Sequence, residues 1–186
     1  MKTLALPAPK PLDMTLGDAL GARRSVRDCR TDDIPPETLS ALLWAAAGLT
    51  TEDGRRTTPS TLDLRAVSVW VVRADGAWRY DAARNVLEQT AEEDLRELTT
   101  AYQFEYVLKA PVTLVFAADL ERAKTARTGA VFVDAGTMAQ SASLAAAALG
   151  LSGCVRASFE HDPLARAMHL PEHSEPILLY TVGCAR

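Results

Sequence analysis

Residues 66–72, a run of β-branched and aromatic residues, mark a strand. The Asp75-Gly76 pair is a hairpin signal, and residues 77–80, Ala-Trp-Arg-Tyr, answer as the returning strand. Ahead of that hairpin the pattern is helical. An amphipathic run over residues 12–22 reads as a first helix, and Asp33-Ile34-Pro35-Pro36-Glu37 leads into a second over residues 38–47. Pro36 falls where a first helical turn tolerates a missing amide donor, and Gly48 stops the helix. Residues 50–60, TTEDGRRTTPS, are polar, with the glycine and proline that irregular backbone needs. Residues 92–100 read as a charged surface helix, and residues 102–109 continue helically until Pro111 opens the apolar run PVTLVFAAD, a buried strand over residues 112–118. The longest regular segment, residues 128–149, spans about 33 Å at helical rise and is apolar or small on nearly every side. Such a helix has to be enclosed, either at the centre of a monomer or in a seam between two chains. Gly150 caps it, residues 153–156 are a short extended piece, 162–170 a helix and 177–182 a closing strand.

Strands interspersed with helices in this order predict an α+β fold, a mixed β-sheet flanked by helices with a long central helix. A length of 186 residues with 48% hydrophobic content fits a single domain over residues 1–186. Residues 1–11 form an extended N-terminal arm, because prolines interrupt it before a continuous apolar stretch can form. The expectation is a cytoplasmic protein. A net charge of −4 spread along the chain offers no basic face to a nucleic acid, and no Lys/Arg run flanks an apolar segment, so neither nucleic acid nor membrane is expected as a partner. Cys29, Cys154 and Cys184 lie far apart without C-x-x-C spacing and read as small buried thiols.

The chain contains no G-x-x-x-x-G-K-[ST], no G-x-G-x-x-G after a strand and no nucleophile elbow. His169 and His173 are separated by Leu170-Pro171 at a helix end, so no metal site is expected there. Tyr102, Phe104 and Tyr106 suit an aromatic pocket, core burial or a dimer contact equally. Arg23-Arg24-Ser25-Val26-Arg27 places three guanidiniums and a hydroxyl within five residues. Guanidiniums are always charged and present a planar fork of donors, which suits a phosphate or an anionic heterocycle; a solvated helix end is the other account. Together with the Thr/Pro/Ser loop, the small residues after the long helix and a terminal arginine, this is the equipment of a site whose reactivity comes from a bound organic cofactor.

These blocks resemble the FMN-dependent nitroreductase family, in particular its compact branch related to the thiazole/oxazole-forming dehydrogenases. The resemblance covers residues 16–183 and is carried by RRSVRDCR at 23–30, ETLSALLWAAAGL at 37–49, DGRRTTPS at 53–60, the hairpin VVRADGAWRYD at 71–81, and DAGTMAQSASLAAAALGLSGCVR with LARAMHLPEHSEPILLYTVG at 134–183. It implies that Arg23, Arg24, Ser25 and Arg27 grip FMN, with Arg27 on the N1/O2 side of the ring. It further implies that Pro59, Ser60 and Thr61 reach the neighbouring chain's flavin across a homodimer. Ala157 and Ser158 would turn backbone amides toward N5 and O4, and Arg186 would meet the phosphate. Flavin N5 carries the chemistry, so no catalytic side chain is implied.

The sequence departs from the family after Pro59-Ser60, where Thr61-Leu62-Asp63-Leu64-Arg65 stands in place of an Asn- or Gly-rich turn. Asp63 is unfavourable beside a reduced flavin unless it points away or pairs with Arg65. The basic tail is cut to Cys184-Ala185-Arg186. The resemblance implies an NAD(P)H oxidoreductase that passes electrons through flavin to a small aromatic, nitro or quinone-type acceptor by ping-pong hydride transfer. A flavin-dependent dehydrogenase of a pathway-specific small molecule or azoline, and a non-catalytic flavin-binding protein, are the alternatives.

Overall fold

A computed structural model describes residues 2–126 and 129–186. In chain order the strands are β1 (Thr3–Ala5), β2 (Val67–Arg73), β3 (Gly76–Asp81), β4 (Val86–Ala91), β5 (Val112–Asp119), β6 (Leu151–Arg156) and β7 (Ser174–Cys184). The helices are α1 (Leu16–Ala22), α2 (Pro36–Ala47), α3 (Glu105–Lys109), α4 (Leu120–Ala123), α5 (Ala130–Ala148) and α6 (His161–Ala167). One sheet runs β1-β4-β3-β2-β5-β7-β6. The α+β class, the flanking helices and the long central helix are as expected. The sheet, expected mixed, is antiparallel at every pairing, because β2 and β7 each enter between strands running the other way.

Strand alternation divides the core in two. Val67, Val69 and Val71 join Leu114 and Phe116 beneath α2 and α5, whereas Trp70 and Val72 join Val115 and Leu179 on the opposite face with Leu164 of α6. The helix α2 closes at Gly48 for a steric reason: φ there is an ordinary −66°, but a Cβ would lie 2.2 Å from the Trp44 ring. Gly150, with φ at +70°, ends α5 in the left-handed conformation that glycine adopts without penalty.

Several boundaries differ from the sequence expectation. The first helix begins at Leu16, where the Thr15 hydroxyl accepts the Asp18 amide. The charged helix expected over 92–100 is reduced to one 3-10 turn over Arg96–Thr99, and a strand over Val86–Ala91 that was not expected precedes it. Within the extended arm, Thr3–Ala5 pairs with β4, and Met1 lies outside the described residues. The expected start of the long helix at Thr128 also lies outside them. Much of that helix is enclosed at the centre of the monomer. It buries Ala135, Met138, Ala139, Ala142 and Ala146 in the core, yet leaves Phe132 57% and Val133 65% exposed, in line with exposed Gly136 and Gln140. Among the described residues no helix is long and apolar enough to cross a membrane.

Candidate functional site

Beyond α1 the chain is laid across the ends of β6 and β7. The Val26 amide donates to the Gly153 carbonyl and the Arg30 amide to the Cys184 carbonyl, both at 2.9 Å. Gly183 permits this approach, since a Cβ there would lie 2.8 Å from Cys29 Sγ. The arginine run is thereby split. Arg24 Nη1 donates to the carbonyls of Gly21 and Arg23 at 2.8 Å, closing the C-terminal end of α1. Arg23 and Arg24 line a cavity of about 250 Å³ together with Gly150 and Tyr180. Arg27 and Arg186 line a second, of about 340 Å³, with Cys29, Phe104 and Tyr106. Ser25 is exposed between them and lines neither.

The second cavity is lined by the cations Arg27, Arg186 and Lys109 and by the carboxylates Asp28 and Glu105, which pair with Arg186 and Lys109. Arg156 is buried in β6 and donates through Nε and Nη2 to Thr181 Oγ1, at 3.1 and 2.7 Å, and through Nη1 to the Thr99 carbonyl at 2.6 Å. Burial lowers its pKa, and no carboxylate pairs with it among the described residues. Tyr106 faces both Arg156 and Arg27; burial raises its phenol above the ordinary value, although both guanidiniums pull it down. Cys29 is likewise pushed up, by burial first and by Asp28 second, so its thiol stays protonated and unreactive. The Arg186 guanidinium rests against Asp28 at 2.9 Å. Both partners are more than half exposed, so water competes for each and an incoming anion displaces the carboxylate at little cost.

Ala157 and Ser158 leave the sheet just after Arg156. The Ser158 carbonyl accepts the Ala101 amide at 3.4 Å, while the amides of Ala157 and Ser158 make no hydrogen bond to the described residues. Small side chains leave those donors open to a ligand.

Pro59, Ser60 and Thr61 lie elsewhere in the same chain. They are fixed at the start of α5 by Asp134, which accepts Ser60 Oγ at 3.2 Å and Thr61 Oγ1 at 2.8 Å. The Arg23 cavity is lined by Ala147, near the other end of that helix and about 20 Å along its axis. Asp63 takes the second of the two orientations open to it: Arg65 grips both its oxygens, at 2.8 and 3.2 Å, and holds its carboxyl below the usual range. One chain thus brings Arg27, Arg186 and Tyr106 together, with Arg23 and Arg24 beside them, but not Pro59, Ser60 or Thr61.

Two residues important to this geometry were not singled out from the sequence. Arg156 was visible as a charge inside the otherwise apolar run Leu151-Ser152-Gly153-Cys154-Val155. Asp134 stood as the one acidic residue in an alanine-rich helix.

The chain matches the family model described as Nitroreductase family over residues 20–184. It is 29% identical to the candidate nitroreductase MJ1384 of Methanocaldococcus jannaschii, over 97% of this chain and 96% of that protein. A candidate nitroreductase from Ralstonia eutropha superposes with a TM-score of 0.92 at 36% identity, covering 100% of this chain and 90% of the other. The NADPH:FMN oxidoreductase of Vibrio harveyi, solved with NAD+, shares the fold at a TM-score of 0.65 and 24% identity, over 91% of this chain and 68% of its own.

Proposed function

Because the chain belongs to the nitroreductase family, we propose that it is an FMN-dependent oxidoreductase passing electrons from NAD(P)H to a small aromatic, nitro or quinone-type acceptor by ping-pong hydride transfer. FMN, when bound, supplies the two-electron chemistry. The observation that carries this reading is the cavity at Arg27, which Arg27, Arg186 and Tyr106 line together, with the unengaged amides of Ala157 and Ser158 following the buried Arg156 behind Tyr106. This donor set fits the group. Arg186 in this cavity, or Arg23 and Arg24 in the adjoining one, would hold its phosphate, with the Ser25 hydroxyl exposed between them. Arg27 would face the pole of the ring that gains negative charge on reduction, where a guanidinium favours the reduced form. Arg156 adds positive potential from behind Tyr106 without reaching the cavity itself. The Ala157 and Ser158 amides offer donors at the edge where hydride arrives.

The site is completed by a second copy of this chain. Leu16 and Leu20 on α1 are 67% and 54% exposed and lie beside α5, whose Phe132 and Val133 are also outside the core. Covering that stripe by two-fold pairing of α5 with itself sets the start of one helix against the end of the other. Pro59, Ser60 and Thr61 of one chain then approach the Arg23–Arg27 segment of its partner.

The test is the visible absorption spectrum of the purified protein, before and after incubation with FMN and gel filtration, with NADH and NADPH oxidation followed on the loaded protein. Stoichiometric retained flavin in a dimer that oxidises either nucleotide is the expected result. Retained flavin with no nucleotide oxidation identifies a binding protein, and no retained flavin reduces the arginine run to a solvated helix end.

A further inference from the structure

A third cavity, of about 310 Å³, opens at the other end of the molecule. Arg56 and Arg65 from the loop after α2, Val67 and Val69 of β2, and Ala82 and Ala83 after β3 form much of its wall. Arg56 is its unusual member. Its Nε is shut off from solvent and has no hydrogen-bond partner, and its Nη1 reaches only the Val67 carbonyl, at 3.3 Å. Among the described residues no carboxylate forms an ion pair with it; the nearby Asp63 is taken by Arg65 on both oxygens. Burial lowers its pKa, and the neighbouring Arg65 and Arg122 guanidiniums push the same way. A buried donor without a partner is normally avoided, because its hydration is lost and nothing replaces it.

An oxyanion placed in the cavity neutralises the Arg56 charge and accepts from its terminal nitrogens, while the enclosed Nε stays without a partner. Arg79, Ser68 and Tyr80 also line the space and add to its polar side, and the apolar stretch of Leu49, Val67, Val69 and Ala82 offers contact that a hydrated inorganic ion does not use. Asp81, which also lines the space, is partly neutralised by Arg84 at 3.6 Å and disfavours a ligand of high negative charge.

We propose that this cavity binds a small organic oxyanion, a carboxylate or phosphate monoester on an apolar body, with Arg56 as its anchor. The site shares no lining residue with the cavities at Arg23 and Arg27. Arg56 and Arg65 also line a cavity with Pro59 and Ser60, the segment assigned to the partner's flavin, so the site is separate from the Arg27 side of the flavin reading only.

Isothermal titration of the full-length protein with benzoate, phenyl phosphate and inorganic phosphate, at constant ionic strength, tests it. Saturable binding of benzoate or phenyl phosphate at one per chain is expected, with inorganic phosphate at least tenfold weaker. Arg56→Gln should weaken binding tenfold or more. Ala83→Trp, at an exposed position on the cavity wall, should block it without touching the core. Arg27→Ala should leave it unchanged. Absence of saturable binding, binding that survives both Arg56→Gln and Ala83→Trp, equal affinity for inorganic phosphate, or loss on Arg27→Ala each overturns the proposal.

Discussion

Asp134 on α5 accepts both the amide and the hydroxyl of Thr61, at 2.9 and 2.8 Å, across a sequence separation of 73 residues. The carboxylate is 6% exposed, so its hydration has been exchanged almost entirely for these donors and for Ser60. Asp134→Ala strands a backbone amide and two hydroxyls and should cost about 1–3 kcal/mol of stability, as for other buried charge-assisted hydrogen bonds. Asp134→Asn keeps an acceptor and should lose less. Urea unfolding of the two variants measures this; equal stability of Asp134→Ala and the unmodified chain would show that the loop is held by packing instead.

Arg156 and Thr181 provide a second buried polar contact with a calculable outcome. Arg156→Met removes the donors that satisfy the Thr99 carbonyl and the Thr181 hydroxyl, with an expected loss of about 1–3 kcal/mol. The Thr181 hydroxyl keeps its buried contact with Thr113 Oγ1 at 3.1 Å, so the Thr99 carbonyl is the group left orphaned, and Thr181→Val should destabilise less in the Arg156→Met background than in the unmodified chain, where it also strands the guanidinium. A double-mutant cycle by chemical denaturation reads the coupling, and simple additivity would exclude it.

The contrast between legible and illegible parts of this chain has a physical origin. The hairpin of β2 and β3 could be read because β-branched and aromatic residues fill both faces of β2 and the Asp75-Gly76 turn is local. The strand β4 could not: Glu88, Gln89 and Thr90 occupy its half-exposed positions, and its pairing with β1 exists only once the arm folds back. The arginine run was visible, but its division between two cavities depends on strands more than a hundred residues away, through Gly153 and Cys184. Asp134 was hidden for the same reason, since an isolated acid in a helix carries no sign of its distant partners. The Asp63–Arg65 pair was legible because both residues lie in one short loop.

Acid should remove a defined increment of stability at Asp94. Arg96 donates to both its oxygens, with Nε at 2.9 Å from one and Nη2 at 2.6 Å from the other, and this holds its pKa below the ordinary 3.8. A carboxyl whose pKa is lower folded than unfolded stabilises the protein above the unfolded value, and that contribution is lost as pH falls through the folded value. Asp94→Asn should therefore lower the urea midpoint at about pH 7, with the difference from the unmodified chain shrinking below about pH 3. A difference that is constant with pH would assign the effect to packing.

The apolar stripe on α1 and α5 gives a test of the assembly separate from the flavin. Val133 is 65% exposed and its side chain takes no part in the core. Val133→Glu should leave the monomer's stability within about 0.5 kcal/mol, as for surface substitutions generally, while placing like charges against each other across a two-fold seam. Sedimentation velocity should show monomers in place of dimers. A dimer that persists would move the seam away from α5.

Arg27 and Arg186 share a cavity but not an electrostatic situation. Arg186 is already paired with Asp28, so an anion bound there gains its charge only by displacing a carboxylate. Arg27 forms no ion pair among the described residues, and its cation is available in full. Arg27→Ala should weaken FMN binding by on the order of tenfold or more, the size of one charge-assisted hydrogen bond to a partly buried anion. It should also slow flavin reduction, because the lost interaction strengthens as the ring gains electrons. Arg186→Ala should have a smaller effect on affinity and none on the reduction rate. Quenching of flavin fluorescence gives the affinities and stopped-flow bleaching gives the rates. An Arg27→Ala variant that binds and is reduced normally would move the ring to another part of the cavity and leave Arg27 a surface charge.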